Sequence, residues 1–393
     1  MTIVESVFWL LAIAIAAPTL VLAFEVLLSM VGREVERNGD VARTSVGRYA
    51  ILVPAHNEER ELPKTLAALR CEVDKFADVL VVADNCSDGT AKVARAAGAS
   101  VLQRSDSVRR GKGFALAAGL DRLAGDPPEV VVFLDADSRP ASGSVRSLAA
   151  AAQQSDRPVQ GIYLLDGPAG DPRAAISWLA MLFKNLVRPR GWTRLGGPCP
   201  LTGTGFALPW ALVEKADFGS AHIVEDMQLG VDLALAGYPP LRCSEAMVTS
   251  PMAPTSDSAT TQRTRWEHGH LQTILTQVPR LLGGFLRRRD PRLLLMAIDL
   301  AVPPLSLLVI LWTVVAAILA VGLTSGVRAP LVLHLGCGLL MVLVVGAGWY
   351  RFARKVIPFS RLLAVPLYVA WKIPIYLMFL FHRQQAWVRT QRG

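Results

Sequence analysis

Glu129-Val-Val-Val-Phe-Leu-Asp-Ala-Asp137 decides how the middle of this chain folds. An unbroken apolar run rich in β-branched valine predicts a strand buried on both faces, the kind found in parallel sheets covered by helices. The run ends in Asp135 and Asp137, which delivers two carboxylates to the carboxyl end of the strand. Upstream, Tyr49–Ala55 and Asp78–Asp84 are similar runs, each followed by a helical pattern, over Glu58–Arg70 and Asp88–Ala97. A further run, Ser100–Gln103, leads through a polar loop to a helix over Lys112–Leu123. Strands alternating with helices predict an α/β domain with a mainly parallel sheet and right-handed crossovers. Ligands of such sheets bind beyond the carboxyl ends of the strands. Pro54-Ala-His-Asn-Glu58, Asp84-Asn85 and Asp135-Ala-Asp137 all fall there, so separate strands bring polar groups to one rim.

With 393 residues the chain has room for one large domain or two ordinary ones. Its apolar fraction of 52% is high for a soluble protein, and the excess lies at the two ends. The net charge of +9 sits beside the apolar runs: Arg33, Arg37, Arg43 and Arg48 after the first, Arg287–Arg289 before the second, and Arg351, Arg354, Lys355 and Arg361 after the third. That distribution follows the positive-inside rule and suits anionic lipid headgroups, while no basic motif with interleaved aromatics points to nucleic acid. Five unpaired-looking cysteines predict neither a disulfide framework nor a zinc site, in keeping with a reducing, cytoplasmic setting.

Val7–Val31 is long enough to cross ~30 Å of hydrocarbon, and too long, without a basic lead, for a cleaved signal. Val302–Leu323 and Leu331–Trp349 predict two more spans, preceded by an interfacial lead-in over Leu293–Ala301. Leu362–Phe381 carries Pro366, Lys372 and Pro374 and is followed by a basic tail, so it reads as interfacial or re-entrant, with the tail kept in the cytoplasm. The predicted organisation is a spanning helix over 1–32 and a cytoplasmic catalytic domain over 33–261. Next come a gating motif with interfacial helices over 262–301, two spans over 302–350, and the re-entrant helix and tail over 351–393. Pro172–Arg188 and Gln262–Arg289 are amphipathic, suited to lying on the bilayer or, for the first, equally to facing a core.

The rim residues carry the chemistry. Asp135 and Asp137 can direct oxygens to Mg2+ or Mn2+, which keeps waters and takes diphosphate oxygens as further ligands. Asp84 is placed to accept hydrogen bonds from a base or ribose, whereas Asp88 reads as a helix cap. His56 suits packing on a base, Pro54 shares its turn, and Glu58 is either a ligand contact or a first-turn charge. Arg109-Arg-Gly-Lys112-Gly113 lacks the full triphosphate-loop pattern, yet Lys112 at a helix start suits a phosphate. Thr202-Gly-Thr-Gly205 offers the floor of an acceptor pocket, with Thr204 in it, or a tight structural turn. Glu225-Asp226 opens a helix over Val224–Ala236; capping explains both carboxylates, and Asp226 is the candidate base for an acceptor hydroxyl. In Gln262-Arg-Thr-Arg-Trp266, Arg265 can grip phosphate oxygens and Trp266 can wall a sugar ring. Arg263 reads as a headgroup anchor, and His268 and His270 as packed or solvated.

This ordered set resembles the membrane-bound family-2 glycosyltransferases with a GT-A fold, which include cellulose, chitin and hyaluronan synthases and ceramide glucosyltransferase. The resemblance covers Tyr49 to His270 and the flanking helices. It implies nucleotide contact at Asp84, metal at Asp135 and Asp137, the acceptor base at Asp226 beside Glu225, and diphosphate or acceptor contacts at Gln262, Arg265 and Trp266. It implies transfer from a nucleoside-diphosphate sugar with inversion at the anomeric carbon. Val224 stands where synthases often carry Thr, and His56 replaces a frequent aromatic. So few spans favour a single addition onto a lipid-linked or glycan acceptor in surface polysaccharide or glycolipid synthesis, ahead of a processive synthase. A transporter, which needs charges within spans where only Glu25 and Asp299 qualify, and a non-catalytic scaffold are the readings from other classes.

Overall fold

The computed structural model describes residues 3–31, 46–70, 72, 77–168, 171–219, 225–253 and 255–381. Arg33, Arg37, Arg43, Val224 and the basic tail lie outside these. In chain order, helix α1 (Ile3–Met30) precedes β1 (Tyr49–Ala55), α2 (Leu62–Arg70), β2 (Ala77–Asp84), α3 (Thr90–Ala96), β3 (Ser100–Arg104), α4 (Lys112–Leu123) and β4 (Val130–Phe133). Then come β5 (Arg139–Pro140), α5 (Ser144–Ser155), β6 (Val159–Leu165), α6 (Pro172–Leu182), a π-helical turn (Phe183–Val187), α7 (Arg188–Thr193), β7 (Phe206–Pro209) and α8 (Trp210–Val213). The chain continues through α9 (Glu225–Leu235), β8 (Leu241–Ser250), α10 (Ser256–Arg288), α11 (Pro291–Ala301), α12 (Leu305–Val321), α13 (Ala329–Phe352), α14 (Phe359–Leu362) and α15 (Val365–Phe381).

The strands form one sheet in the order β3-β2-β1-β4-β7-β6-β8-β5. The first four are parallel, as the sequence predicts; β7 runs antiparallel between β4 and β6, and β6 and β8 are parallel again. Burial explains why β4 has no polar alternation. Its Val130 and Val132 face the cluster formed with α2 and α5, while Val131 and Phe133 face the opposite cluster with α4 and α9. Phe133 stacks on Phe206 at 4.5 Å and on Phe218 at 5.4 Å, which ties the parallel half to the first antiparallel strand. The sheet is one of mixed strands between helical layers, as the resemblance to a GT-A fold implies.

Among the described residues, four helical stretches are long and apolar enough to cross a membrane: Ile3–Met30, Leu305–Thr324, Ala329–Phe352 and Phe359–Phe381. The last takes in α15, read above as interfacial, and meets the length and composition of a span. Helix α6 does not expose its apolar face to lipid. Ile176, Trp178, Leu179 and Leu182 are buried, and the Trp178 indole donates to the Leu165 carbonyl at 2.9 Å. Amphipathic periodicity cannot tell lipid from protein as the apolar partner; here β6, α14 and α15 supply it. Helix α10 packs Val278, Leu281 and Phe285 against α9 and α11, yet leaves Leu275, Leu282 and Leu286 exposed beside Arg287–Arg289.

One buried cation couples these layers. The Arg188 Nε donates to Glu25 Oε2 at 2.5 Å, and its Nη2 donates to Asp299 Oδ1 at 2.8 Å and to the Asp299 carbonyl at 2.7 Å. All three side chains are buried, so α1, α7 and α11 are held to a single guanidinium. Gly191, one turn further along α7, lets the backbones touch: a Cβ there would lie 1.9 Å from the Glu25 carbonyl oxygen. Removing one member of a buried ion set leaves uncompensated charge and costs roughly 3–5 kcal/mol, whereas apolar replacement of the whole set is often tolerated. Arg188→Met is therefore expected to lower the thermal unfolding temperature of the detergent-solubilised protein sharply. The triple variant Glu25→Met, Arg188→Met, Asp299→Leu should recover much of the loss.

Candidate active site

The carboxyl ends of β1, β2 and β4 build the rim, and two asparagines shape it. Asn57 and Asn85 adopt left-handed backbone conformations (φ 55° and 51°), which their short polar side chains tolerate. Asn57 Oδ1 accepts from the Ser87 N–H at 2.7 Å, and Asn85 Oδ1 accepts from the Asp106 N–H at 2.8 Å. The turn after β1 is thereby stitched to the turn after β2, and that turn to the loop after β3. Asp88, expected to cap α3, lies one residue before the N-cap Gly89 and accepts from the Thr90 N–H at 3.0 Å.

Asp84 is buried at the end of β2. Its Oδ1 accepts from Arg104 Nη1 at 2.5 Å and from Asn85 Nδ2 at 3.1 Å, and its carbonyl lies 2.7 Å from His56 Nδ1. Arg104 also donates to Asp106 Oδ2 at 3.0 Å and to the Arg109 carbonyl at 2.6 Å. Hydrogen bonds from the Arg109 N–H and guanidinium hold the Asp106 carboxyl down at about 2. The pairing of Asp84 with Arg104 was not visible in the sequence, where the third strand ended one residue short at Gln103.

Lys112 begins α4 and reaches across the rim, its Nζ 2.6 Å from Asp135 Oδ1 and donating to the Gly203 carbonyl at 2.6 Å. Asp226, in the first turn of α9, adjoins this cradle. Burial raises its pKa above the ordinary carboxylate value, against the pull of Lys112 and Lys184. Gly203 separates the two groups with φ +88°; a Cβ there would stand 3.0 Å from Asp226 Oδ2 and 3.8 Å from Lys112 Nζ. Glu225 begins the same helix, and its side chain lies outside the described residues.

The opposite wall is α10, started by a reciprocal cap in which the Ser258 N–H donates to Thr255 Oγ1 at 3.2 Å. Gln262, Arg265 and Trp266 face the rim from its second and third turns. Arg263, expected at lipid headgroups, is instead buried in this wall with its guanidinium 4.9 Å from the Trp266 ring; one helical turn separates them, so the ring takes the cation. His268 and His270 are packed: His268 Nε2 lies 2.8 Å from the Ile375 carbonyl, and burial pushes the His270 pKa well down.

One cavity of about 330 Å³ takes in Pro54, His56, Glu58, Asp84, Lys112, Asp135 and Asp137 from the sheet side. Asp226, Gln262, Arg265 and Trp266 line the same cavity, which extends to Leu305 and Ser306 of α12 and Tyr368 of α15. Thr204 is not among the lining residues. Its hydroxyl is buried, accepting from the Asp135 N–H at 3.0 Å and pairing with Ser138 Oγ at 2.8 Å, so it holds the turn between the two aspartates from behind. Asp135 and Asp137 form an all-oxygen donor set, and no group of three His, Cys, Asp or Glu side chains gathers among the described residues. An oxygen set completed by substrate phosphates and water is how Mg2+-like ions bind, so these residues fit such an ion.

Residues 130–381, more than half of the chain, match the family profile described as glycosyl transferase family group 2, and residues 50–205 match glycosyl transferase family 2. The chain belongs to this glycosyltransferase family. Probable glycosyltransferase YdaM of Bacillus subtilis is 25% identical over 276 residues, 63% of this chain and 60% of the relative. Glucosyl-3-phosphoglycerate synthase of Mycobacterium tuberculosis is 36% identical over 106 residues, 25% of this chain and 32% of the relative. The chain thus matches less than two thirds of either relative's length. The mannosyltransferase PcManGT from Pyrobaculum calidifontis, solved with GDP-Man and Mn2+, superposes with a TM-score of 0.53 at 16% identity. That superposition covers 88% of this chain and 99% of the other. At such identity the likeness is one of fold.

Gly203 carries a prediction for this glycosyltransferase. Gly203→Ala combines an unfavourable left-handed conformation with a methyl group against Asp226, and should cut turnover by about 10²-fold. Steady-state kinetics alongside circular dichroism will show lost activity with secondary structure intact.

Proposed function

We propose that the enzyme transfers a sugar, with inversion, from a nucleoside diphosphate to a lipid-linked or membrane-bound acceptor at the cytoplasmic face of the inner membrane. The observation that carries this reading is the single cavity that joins Asp137, Asp226 and Arg265 and continues to the first turns of two candidate spans. The small set of candidate spans favours a single addition over polymerisation. Basic residues beside the candidate spans, among them Arg287–Arg289 and Arg351, support the cytoplasmic orientation. The exposed leucines of α10 support contact with the interface.

In this reading the base and ribose lie along the ends of β1 and β2, between His56 and the Asp84–Arg104 pair. Asp135 and Asp137 would hold Mg2+ or Mn2+, which supplies positive charge against the diphosphate. Lys112 and Arg265 flank the diphosphate from opposite walls, and Trp266 packs on the sugar. Asp226 takes the proton of the acceptor hydroxyl as its oxygen bonds to the anomeric carbon. The bond from that carbon to the diphosphate oxygen breaks on the opposite side, which inverts the configuration. Burial suits Asp226 to this task, because a raised pKa makes a carboxylate a stronger base. Glu225 stands next to it in the helix.

Asp226→Asn should lower transfer by about 10²–10⁴-fold while leaving donor binding intact. Asp137→Asn should abolish the stabilisation that a nucleoside-diphosphate sugar gives in the presence of Mn2+. Donor-dependent release of nucleoside diphosphate, with thermal shifts for a panel of GDP- and UDP-sugars, checks both. No release with any donor in membranes of native lipid would overturn the proposal.

A further inference from the structure

The membrane-ward half of the cavity contains a cation that the transfer reaction does not use. The helix that begins at Pro172 widens at Phe183–Val187 into a π-helical turn, an element that inserts an extra residue and re-aims side chains. The residues on either side of Lys184 are fixed. Phe183 is fully buried in the cluster with Met341 and Val344 of α13, and Asn185 Nδ2 donates to the Tyr163 carbonyl of β6 at 3.0 Å. Lys184, between them, lines the cavity.

Three other cations at this depth are paired with carboxylates, and Arg263 rests on the Trp266 ring. Arg188 is held by Glu25 and Asp299, Lys372 by Glu267, and Lys112 by Asp135. Glu267 also accepts from the Tyr376 hydroxyl at 2.9 Å, so it is shared out within the helices. Among the described residues no hydrogen bond or ion pair reaches Lys184. The fields of Asp226 and Glu267 act on it, but burial outweighs them and pushes its pKa down. An ammonium in such surroundings is costly without an anion in contact.

We infer that Lys184 seats an anionic oxygen acid, a phosphate or carboxylate, on an amphiphilic acceptor whose hydroxyl reaches Asp226. The acceptor's apolar part then lies toward Pro303, Leu305 and Tyr368, where the cavity meets α12 and α15. This deepens the proposed transfer by naming the acceptor class, an acidic lipid-like molecule rather than a neutral one. It also gives the π-helical turn a purpose: regular α-helical spacing gives way where the cation has to enter the cavity.

The test is binding of dodecyl phosphate, dodecanoate, dodecanol and inorganic phosphate to the full-length protein in a neutral detergent, read by thermal shift and titration calorimetry. Dodecyl phosphate and dodecanoate should stabilise the wild type, with dodecanol and inorganic phosphate both weaker. Lys184→Gln should weaken the two amphiphilic anions by about tenfold or more, as expected for loss of a charge-assisted hydrogen bond, while Lys184→Arg retains them. Each variant's shift with nucleoside-diphosphate sugar and Mn2+ serves as the control for folding. Equal anion binding by wild type and Lys184→Gln, or dodecanol matching the anions, overturns the acceptor assignment even if nucleoside diphosphate is still released. Inorganic phosphate matching dodecyl phosphate in a Lys184-dependent way assigns the site to free phosphate and also overturns it. Lost donor turnover with intact Lys184-dependent binding would instead count against the transfer reaction.

Discussion

A guanidinium shut away from water must keep its carboxylates, and Arg188 takes them from two directions. Glu25 comes from near the end of the first candidate span and Asp299 from the helix that precedes the second. The sheet domain and the apolar helices therefore do not simply adjoin. They share one buried charge set, and the backbone contact at Gly191 leaves no room for sliding. Because this junction is fixed, the rim of the sheet and the starts of α12 and α15 can bound a single cavity. A catalytic domain on a loose tether would have no such continuous wall.

In and beside that cavity, several cations have partners. Lys112 bridges Asp135 and the Gly203 carbonyl, Arg104 neutralises Asp84, and Arg263 rests on Trp266. Thr204 and Ser138 hold the turn of the two aspartates from behind. The donor side is thus built in advance, which is the condition for electrostatic stabilisation of a leaving diphosphate without reorganisation. Burial raises the Asp226 pKa against the pull of Lys112 and Lys184, which suits the proposed role of proton acceptor.

Much of this was legible in the sequence because it is local. The bounds of Tyr49–Ala55 and Lys112–Leu123 follow directly from residue pattern, and polar residues after apolar runs mark the rim. The helix break at Val302-Pro303-Pro304 is equally plain. Features that depend on long-range pairing were hidden. Arg188 reads as the end of an amphipathic helix, because its partners lie 163 and 111 residues away. Arg263 reads as a membrane anchor until Trp266 and the buried wall are placed. The strands β6 and β8 escape the pattern, and so does the antiparallel turn of β7, since their pairing depends on distant partners. The π-helical turn at Lys184 leaves no periodic signature at all, because a single inserted residue is lost within a helical average. Thr204 reads equally as a pocket floor or as a structural turn, a choice that only burial reveals.

The central claim is that Asp137, Asp226 and Arg265 surround one bound nucleoside diphosphate at the junction of the sheet and the candidate spans. An experimental structure of the full-length enzyme with Mn2+ and nucleoside diphosphate tests it most directly. The account predicts density for the diphosphate between the Asp135–Asp137 turn and Arg265, with a metal peak against the two aspartates. Diphosphate bound elsewhere on the sheet, or Arg265 turned away from it, would contradict the account.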